Sequence, residues 1–231
     1  MKKLLTIGTL LITVAIMTGV STPVAAQDVS LGADVVSRYV WRGTDFGESA
    51  SIQPSLSFNS GGFEVGTWAS YAVSPVSAGL NEHDIWVGYT AGPVSVGVTD
   101  YYFPAPGGSG FFDFDNGEGA HTLEPYVAFG GTETFPVSLF AGYLAYNDPD
   151  NSLYLNASVP FAVSGVDMSF GVGASAGESG WYGTDGFAII DVALTGSKSI
   201  PITDSFELPV FVQYVLNPDA ERTFLVFGVS L

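Results

Sequence analysis

Arg38 and Arg42 carry the most pointed chemistry in this sequence, because so few other residues are basic. They stand four apart, and Asp34 precedes Arg38 by four. In an extended strand side chains alternate between two faces, so all three are expected on one face. A guanidinium withdrawn from water needs a carboxylate partner. Glu64, Asp84, Glu124 and Glu207 are the candidates, each on a face otherwise polar or small. Such a group can act as an internal ion-pair brace, or it can line a constriction that sorts solutes by charge.

The remaining reactive residue types form weaker patterns. His83 and His121 are the only histidines, flanked by Glu82, Asp84 and Glu118. Their spacing is not that of a zinc motif. Asp113 and Asp115 begin like a calcium loop, but Gly117 falls in the fifth place instead of the sixth, and Glu124, the twelfth, lies in an expected strand. That acidic loop is expected to attract divalent cations weakly. No metal site or other cofactor is expected. The sequence holds no Gly-Xaa-Ser-Xaa-Gly elbow, phosphate loop or dinucleotide fingerprint, so no catalytic residues are assigned and an enzyme is not expected.

The two ends of the charge distribution differ. Lys2 and Lys3 precede a stretch of apolar or small, uncharged residues over 4–20, and the segment closes on Val24-Ala25-Ala26. Small residues at the minus-three and minus-one places suit a signal peptidase, so residues 1–26 are expected to be a signal peptide and 27–231 the mature domain. The mature part has four basic and 23 acidic residues, a formal charge of −19. Nucleic acid and anionic headgroups are poor partners for such a surface, whereas small cations are natural ones. The sequence has no cysteine, which excludes disulfides and thiolate metal sites.

The dominant period is two. Over 29–42, Val29, Leu31, Ala33, Val35, Tyr39 and Trp41 alternate with Ser30, Gly32, Asp34, Arg38 and Arg42, which predicts one long first strand. Eleven further strands are expected at 51–58, 63–71, 84–90, 94–103, 122–129, 136–146, 153–161, 166–175, 187–195, 206–216 and 223–231. About twelve strands result, within a range of about ten to fourteen. Short connections are expected at 60–62, 91–93, 130–135, 147–151, 164–165 and 217–220, and longer ones at 42–50, 72–83, 104–121, 176–186 and 196–205. No 18-residue apolar run follows residue 26, so any membrane crossing must use strands.

The polar faces are made of Ser, Gly, Thr, Asn and Gln with almost no lysine, unlike a solvated face. Aromatics collect at strand ends: Tyr39 and Trp41, Trp68 and Tyr71, 101–103, Tyr143 and Tyr146, Phe224 and Phe227. Both features suit a closed antiparallel transmembrane β-barrel with aromatic girdles. By alternation Trp68, Trp86 and Tyr101 fall on the lumen face with Arg38 and Arg42. Phe111, Phe112 and Phe114 suggest a loop that folds onto or into the barrel.

Three stretches carry a resemblance. The first is Val29-Ser30-Leu31 followed by Ser37-Arg38-Tyr39-Val40-Trp41-Arg42-Gly43. The second is Gln53-Pro54-Ser55 with Gly62-Phe63-Glu64-Val65-Gly66-Thr67-Trp68-Ala69-Ser70, and the third is Glu82, Asp84 and Gly88 with Tyr101-Tyr102-Phe103-Pro104. With these the chain resembles a family of uncharacterised bacterial outer-membrane β-barrel proteins, first described as conserved hypothetical proteins of proteobacteria. The resemblance implies an outer-membrane location and a closed antiparallel barrel, and it implies no reaction. Where outer-membrane barrels commonly end in an aromatic residue, this chain ends in Leu231.

The functional expectation is a porin-like barrel for passive diffusion of small solutes, with a preference for cations. Its partners would be the lipid bilayer, the outer-membrane assembly machinery and small solutes or cations, with no nucleic acid. The rival readings are a structural or adhesive barrel with a blocked lumen, and a secreted soluble lipocalin-like carrier. The inward-facing Ser, Gly and Thr are expected to leave space in the lumen.

Overall fold

The structure is a computed structural model that describes residues 28–74, 81–104, 108, 110–117 and 119–231. The expected signal peptide and Glu118 lie outside the described residues.

Period-two alternation becomes strand throughout. In chain order the strands are β1 (Asp28–Val36), β2 (Val40–Trp41), β3 (Thr44–Asp45), β4 (Ser51–Ser60), β5 (Phe63–Ala72), β6 (Glu82–Ala91), β7 (Val94–Tyr102) and β8 (His121–Phe129). They continue as β9 (Ser138–Tyr143), β10 (Leu153–Val163), β11 (Val166–Ser175), β12 (Glu178–Ser179), β13 (Thr184–Asp185), β14 (Ala188–Thr203), β15 (Phe206–Asn217) and β16 (Arg222–Ser230). Twelve of them close into one antiparallel barrel, in the order β1-β16-β15-β14-β11-β10-β9-β8-β7-β6-β5-β4. The short strands form two hairpins apart from the wall, β2 with β3 and β12 with β13. Closure sets Asp34, Val35 and Val36 opposite Ser230, Val229 and Gly228.

Turn chemistry fixes one end of the barrel. Gly61 and Gly62 (φ 57° and 87°) and Ser164 and Gly165 (φ 52° and 77°) place both central residues of a two-residue turn in the left-handed region. That backbone twist matches the twist of the flanking strands. The connections 61–62, 92–93, 130–137, 164–165 and 204–205 share this end with both termini. The strand ends that close β1, β5, β7, β9, β11 and β15 lie at the other, loop end.

Two expectations about connections are corrected. The segments around 147–151 and 217–220 lie at the loop end despite their brevity, because strand parity, not length, decides the end. The expected long loop at 196–205 is mostly strand: β14 runs to Thr203 and leaves a two-residue turn. Here β14 has passed beyond its last β11 partner, since Ser197 pairs with Asp167. Its tip and that of β15 project as a two-stranded ribbon. Pro201 lies on the free edge of the ribbon, where a missing N–H is tolerated.

The outer face is apolar. Val29, Leu31, Ile52, Leu56, Val65, Ile85, Val87, Val96, Val127, Leu155, Leu194, Val212 and Leu225 all point outward and are exposed, Leu31 to 82%. Tyr71, Tyr143 and Phe187 ring the loop end, and Phe63, Tyr89, Phe135, Phe161 and Phe206 ring the turn end. Apart from tyrosines, the ionisable side chains on described outward strand positions sit near the strand ends: His83, Asp100 and His121 by the loops, and Lys198 by the turns.

The core lies inside the barrel, toward the loop end. One cluster contains Tyr39, Trp41, Trp68, Tyr101, Phe140, Leu144, Tyr154, Tyr182 and Ile190. A second contains Val36, Val40, Ala193, Val215 and Val226, with Phe211 and Phe224 against it. The girdle expectation is thereby corrected for Tyr39, Trp41, Trp68, Tyr101, Phe103 and Phe224, which face or cap the interior. The expected free space is corrected too. Lumen glycines are seats for the rings of neighbouring strands: a Cβ on Gly66 would lie 2.2 Å from the Trp86 ring, one on Gly173 2.1 Å from the Tyr154 hydroxyl, and one on Gly228 2.6 Å from the Phe211 ring.

Candidate functional site

The first long connection does not continue the wall. β1 ends at Val36, and Ser37 is tied to β16 by its amide to the Phe227 carbonyl (2.8 Å) and by its hydroxyl, which accepts from the Phe227 amide (3.0 Å). The chain then turns into the lumen. The Tyr39 carbonyl accepts from the amides of Phe46 (2.9 Å) and Gly47 (3.1 Å), folding 37–50 back on itself. At its tip, Arg42 (φ 48°) and Gly43 (φ 75°) form the β2–β3 turn. A Cβ on Gly43 would lie 1.8 Å from the Ile190 carbonyl oxygen, so only glycine lets the tip reach the wall. The side-chain amide of Asn217 on the neighbouring strand donates to the Gly43 carbonyl (3.2 Å).

Arg42 fastens this loop. Its guanidinium makes a two-pronged pair with Glu124, Nη1 to Oε2 at 2.6 Å and Nη2 to Oε1 at 2.9 Å. Nη1 also donates to the Tyr182 hydroxyl (2.6 Å), and the Tyr101 hydroxyl donates to Glu124 (3.2 Å). The guanidinium carbon lies 4.1 Å from the Trp41 ring centroid and 4.3 Å from that of Tyr154. Side-chain exposure is 2% for Arg42 and 1% for Glu124, so water screens neither charge. Room for the carboxylate comes from Gly142, where a Cβ would sit 2.5 Å from it.

A second loop closes over the first. The β12–β13 hairpin carries Trp181, which packs against Trp41, Phe46 and Phe103, and Tyr182, which reaches Arg42. The Ser179 hydroxyl accepts from the Tyr182 amide (3.1 Å) and bonds Ser152 (2.6 Å), linking this loop to a third. Burial pushes the Tyr182 phenol up to about 12, against the opposing pull of Arg42, so it stays a neutral phenol at physiological pH.

The predicted residues divide as follows. Arg42 and Glu124 meet. Arg38 does not join them: its side chain is 42% exposed and pairs with Asp45 inside the same loop. It turns away because β1 has already ended, so the four-residue spacing no longer means one face. Asp34 is buried at the β1–β16 seam beside Ser230. Glu64 accepts from the Trp86 indole (2.7 Å). Asp84 lies beside Glu82, whose other neighbour is the Tyr39 hydroxyl. Glu207 is exposed on the projecting ribbon. Of the motif residues, Ser37, Tyr39, Trp41 and Gly43 build the inserted loop. Gly66 seats Trp86, Thr67 donates to the Asp84 carbonyl (2.8 Å), and Trp68 packs on Tyr39 at 5.3 Å.

Sequence reasoning missed Tyr182, Trp181, Phe140, Tyr154 and Asp191, the last bonded to the Tyr154 hydroxyl (3.0 Å). The available signal was an adjacent Trp-Tyr pair at 181–182 within a stretch, 177–186, otherwise of Gly, Ser, Thr and acids. His121 pairs with Asp100 (2.9 Å) on the outer face, and His83 packs between Tyr71 and Tyr102. Among the described residues no three potential ligands cluster as a metal site would need.

Arg42 and Glu124 pair through both carboxylate oxygens, so the arrangement fastens a loop across the lumen. No curated protein matches the chain. A family model described as a bacterial protein of unknown function (Gcw_chp) matches residues 20–199, from before β1 into β14, and the chain belongs to that family.

Proposed function

We propose that the mature protein is an outer-membrane barrel whose lumen is closed at the loop end by its own first loop, a structural barrel in its resting state. The observation that carries the closed state is the buried clamp of Arg42 on Glu124, inside a shell of aromatic rings. The outward aliphatic belt between two aromatic rings supports the membrane location, since such a belt in water would be an aggregation surface. A soluble carrier of the lipocalin kind shows charge outward, whereas this wall shows aliphatic side chains outward. Insertion would use the outer-membrane assembly machinery, after cleavage before Gln27.

The test is conductance of the refolded protein in a planar bilayer. Long closed periods with no standing current support the reading. A steady open pore in the wild type overturns it.

The porin-like reading keeps one observation in its favour. Below the clamp, Ser30, Ser55, Ser57, Ser95, Asn156, Ser158, Ser169 and Ser197 alternate toward the lumen with Glu64 among them, beside the rings of Trp86, Tyr126 and Phe211, and a solute passage would have to run between these groups. If the first loop withdraws, this passage would favour cations, and a salt gradient across the bilayer would read that preference as the sign of the reversal potential.

A further inference from the structure

The described part of the connection between β7 and β8 goes the opposite way from the first loop. By strand alternation Tyr101, Thr122 and Glu124 face the lumen, so Tyr102 and His121 face outward. Phe111 packs on both, with ring centroids 5.3 Å from each, and Phe114 stacks on His121 at 3.8 Å. The described part, 110–117, is therefore a flap folded down over the outer face of β7 and β8. It is held firmly. The His121 ring bonds the Phe111 carbonyl (2.6 Å), and the Tyr146 hydroxyl donates to the Phe114 carbonyl. Asn147 accepts from the Gly117 amide (2.5 Å) and donates to the Asp115 carbonyl (3.3 Å).

Two features of the flap need a partner. It buries the Asp100–His121 pair, the outward ionisable pair nearest the aliphatic belt, leaving His121 fully covered. It also holds Phe112 out at 89% exposure, with Phe111 and Phe114 half-exposed beside it. A large ring pinned outward by a bonded backbone cannot fold away from water. The flap continues the belt of Val96, Val98 and Val127 on the same two strands, and its phenylalanines alternate with Asp113 and Asp115. Rings interleaved with carboxylates at the margin of an apolar belt fit the boundary between acyl chains and headgroups.

We infer that the flap at 110–117 is a lipid anchor: it seats Phe112 in the bilayer interface and seals the Asp100–His121 pair from the acyl chains. The inference rests on the membrane reading above and adds which loop touches lipid.

The experiment exploits the placement of the four native tryptophans, Trp41, Trp68, Trp86 and Trp181, which all lie within or over the lumen. Phe112→Trp and, separately, Leu56→Trp in the middle of the belt are refolded into phosphatidylcholine vesicles. Folding is checked by the heat-dependent gel shift. The acyl chains are brominated either near the headgroup or near the methyl end. The expected result is that F112W loses most of its added emission to the shallow bromines, L56W to the deep ones, and the native protein little to either. If L56W is quenched while F112W responds only to aqueous iodide, the flap stands in water, where a protein partner would meet it, and the anchor is refuted with the membrane reading intact. If neither is quenched in folded protein, the membrane reading fails and takes the anchor with it.

Discussion

Replacing Glu124 by glutamine keeps the shape of the clamp and removes its negative charge. Arg42 would then remain almost wholly buried, facing an amide, Tyr182 and two aromatic faces. Breaking one side of a buried pair leaves an uncompensated charge and costs about 3–5 kcal/mol. No discount for solvent applies, because both side chains are at most 2% exposed. Cation–π contact with Trp41 and Tyr154 is present before and after the change, so it offsets none of this loss. Urea unfolding of vesicle-inserted protein, followed by tryptophan emission, reads the loss as a shift in midpoint at constant slope. The double variant Arg42→Met with Glu124→Gln removes both charges and should be less damaged than Glu124→Gln alone, with a coupling energy on the order of 2–3 kcal/mol. In the bilayer, Glu124→Gln should convert a closed barrel into one with intermittent openings. A single-variant loss under about 1 kcal/mol, or strict additivity in the cycle, would refute the reasoning that this pair fastens the loop.

Gly43→Ala forces a Cβ to within 1.8 Å of the Ile190 carbonyl at a left-handed φ of 75°, so the loop tip should fail to dock; iodide quenching of Trp41 should rise and conductance events should appear. Gly66→Ala drives a Cβ into the Trp86 ring, and overpacking of this kind should lower stability by about 1–3 kcal/mol in the same urea assay while leaving the first loop in place. The Tyr182 phenol is raised from 10.0 to about 12 by burial. Between those values the unfolded chain has released this proton and the folded one has not, so stability is full below pH 10 and falls as pH rises toward 12. Tyr182→Phe should make that alkaline decline shallower, and a pH series of urea midpoints for the two proteins checks it.

How much of this was legible beforehand depends on the range of the physics. Strand identity and approximate number followed from period two and from turn dipeptides such as Gly61-Gly62 and Ser164-Gly165, because alternation and left-handed turns are local properties of the chain. Glu124 could be named as a partner for Arg42, since a scarce guanidinium on a polar face must find a carboxylate. Arg38 was misplaced by the same rule, which assumed that the first strand ran to Arg42.

From the sequence alone came an acidic, cysteine-free, all-β chain with one apolar and one polar face per strand, patterned as a barrel of about twelve strands. Only the tertiary structure decided where the stretch from Ser37 to Arg42 goes. An extended segment in the wall and an extended segment in the lumen alternate in the same way, so periodicity cannot separate them. What separates them lies far along the chain: Glu124, 82 residues from Arg42, the space left beside it by Gly142, and Tyr182, 140 residues away. The same holds for the two kinds of aromatic residue. Tyr101 and Tyr102 are adjacent, yet one packs in the lumen against Trp41 and the other lies on the outer face beneath Phe111, because a strand turns neighbours to opposite sides and only closure of the barrel makes one of those sides an interior.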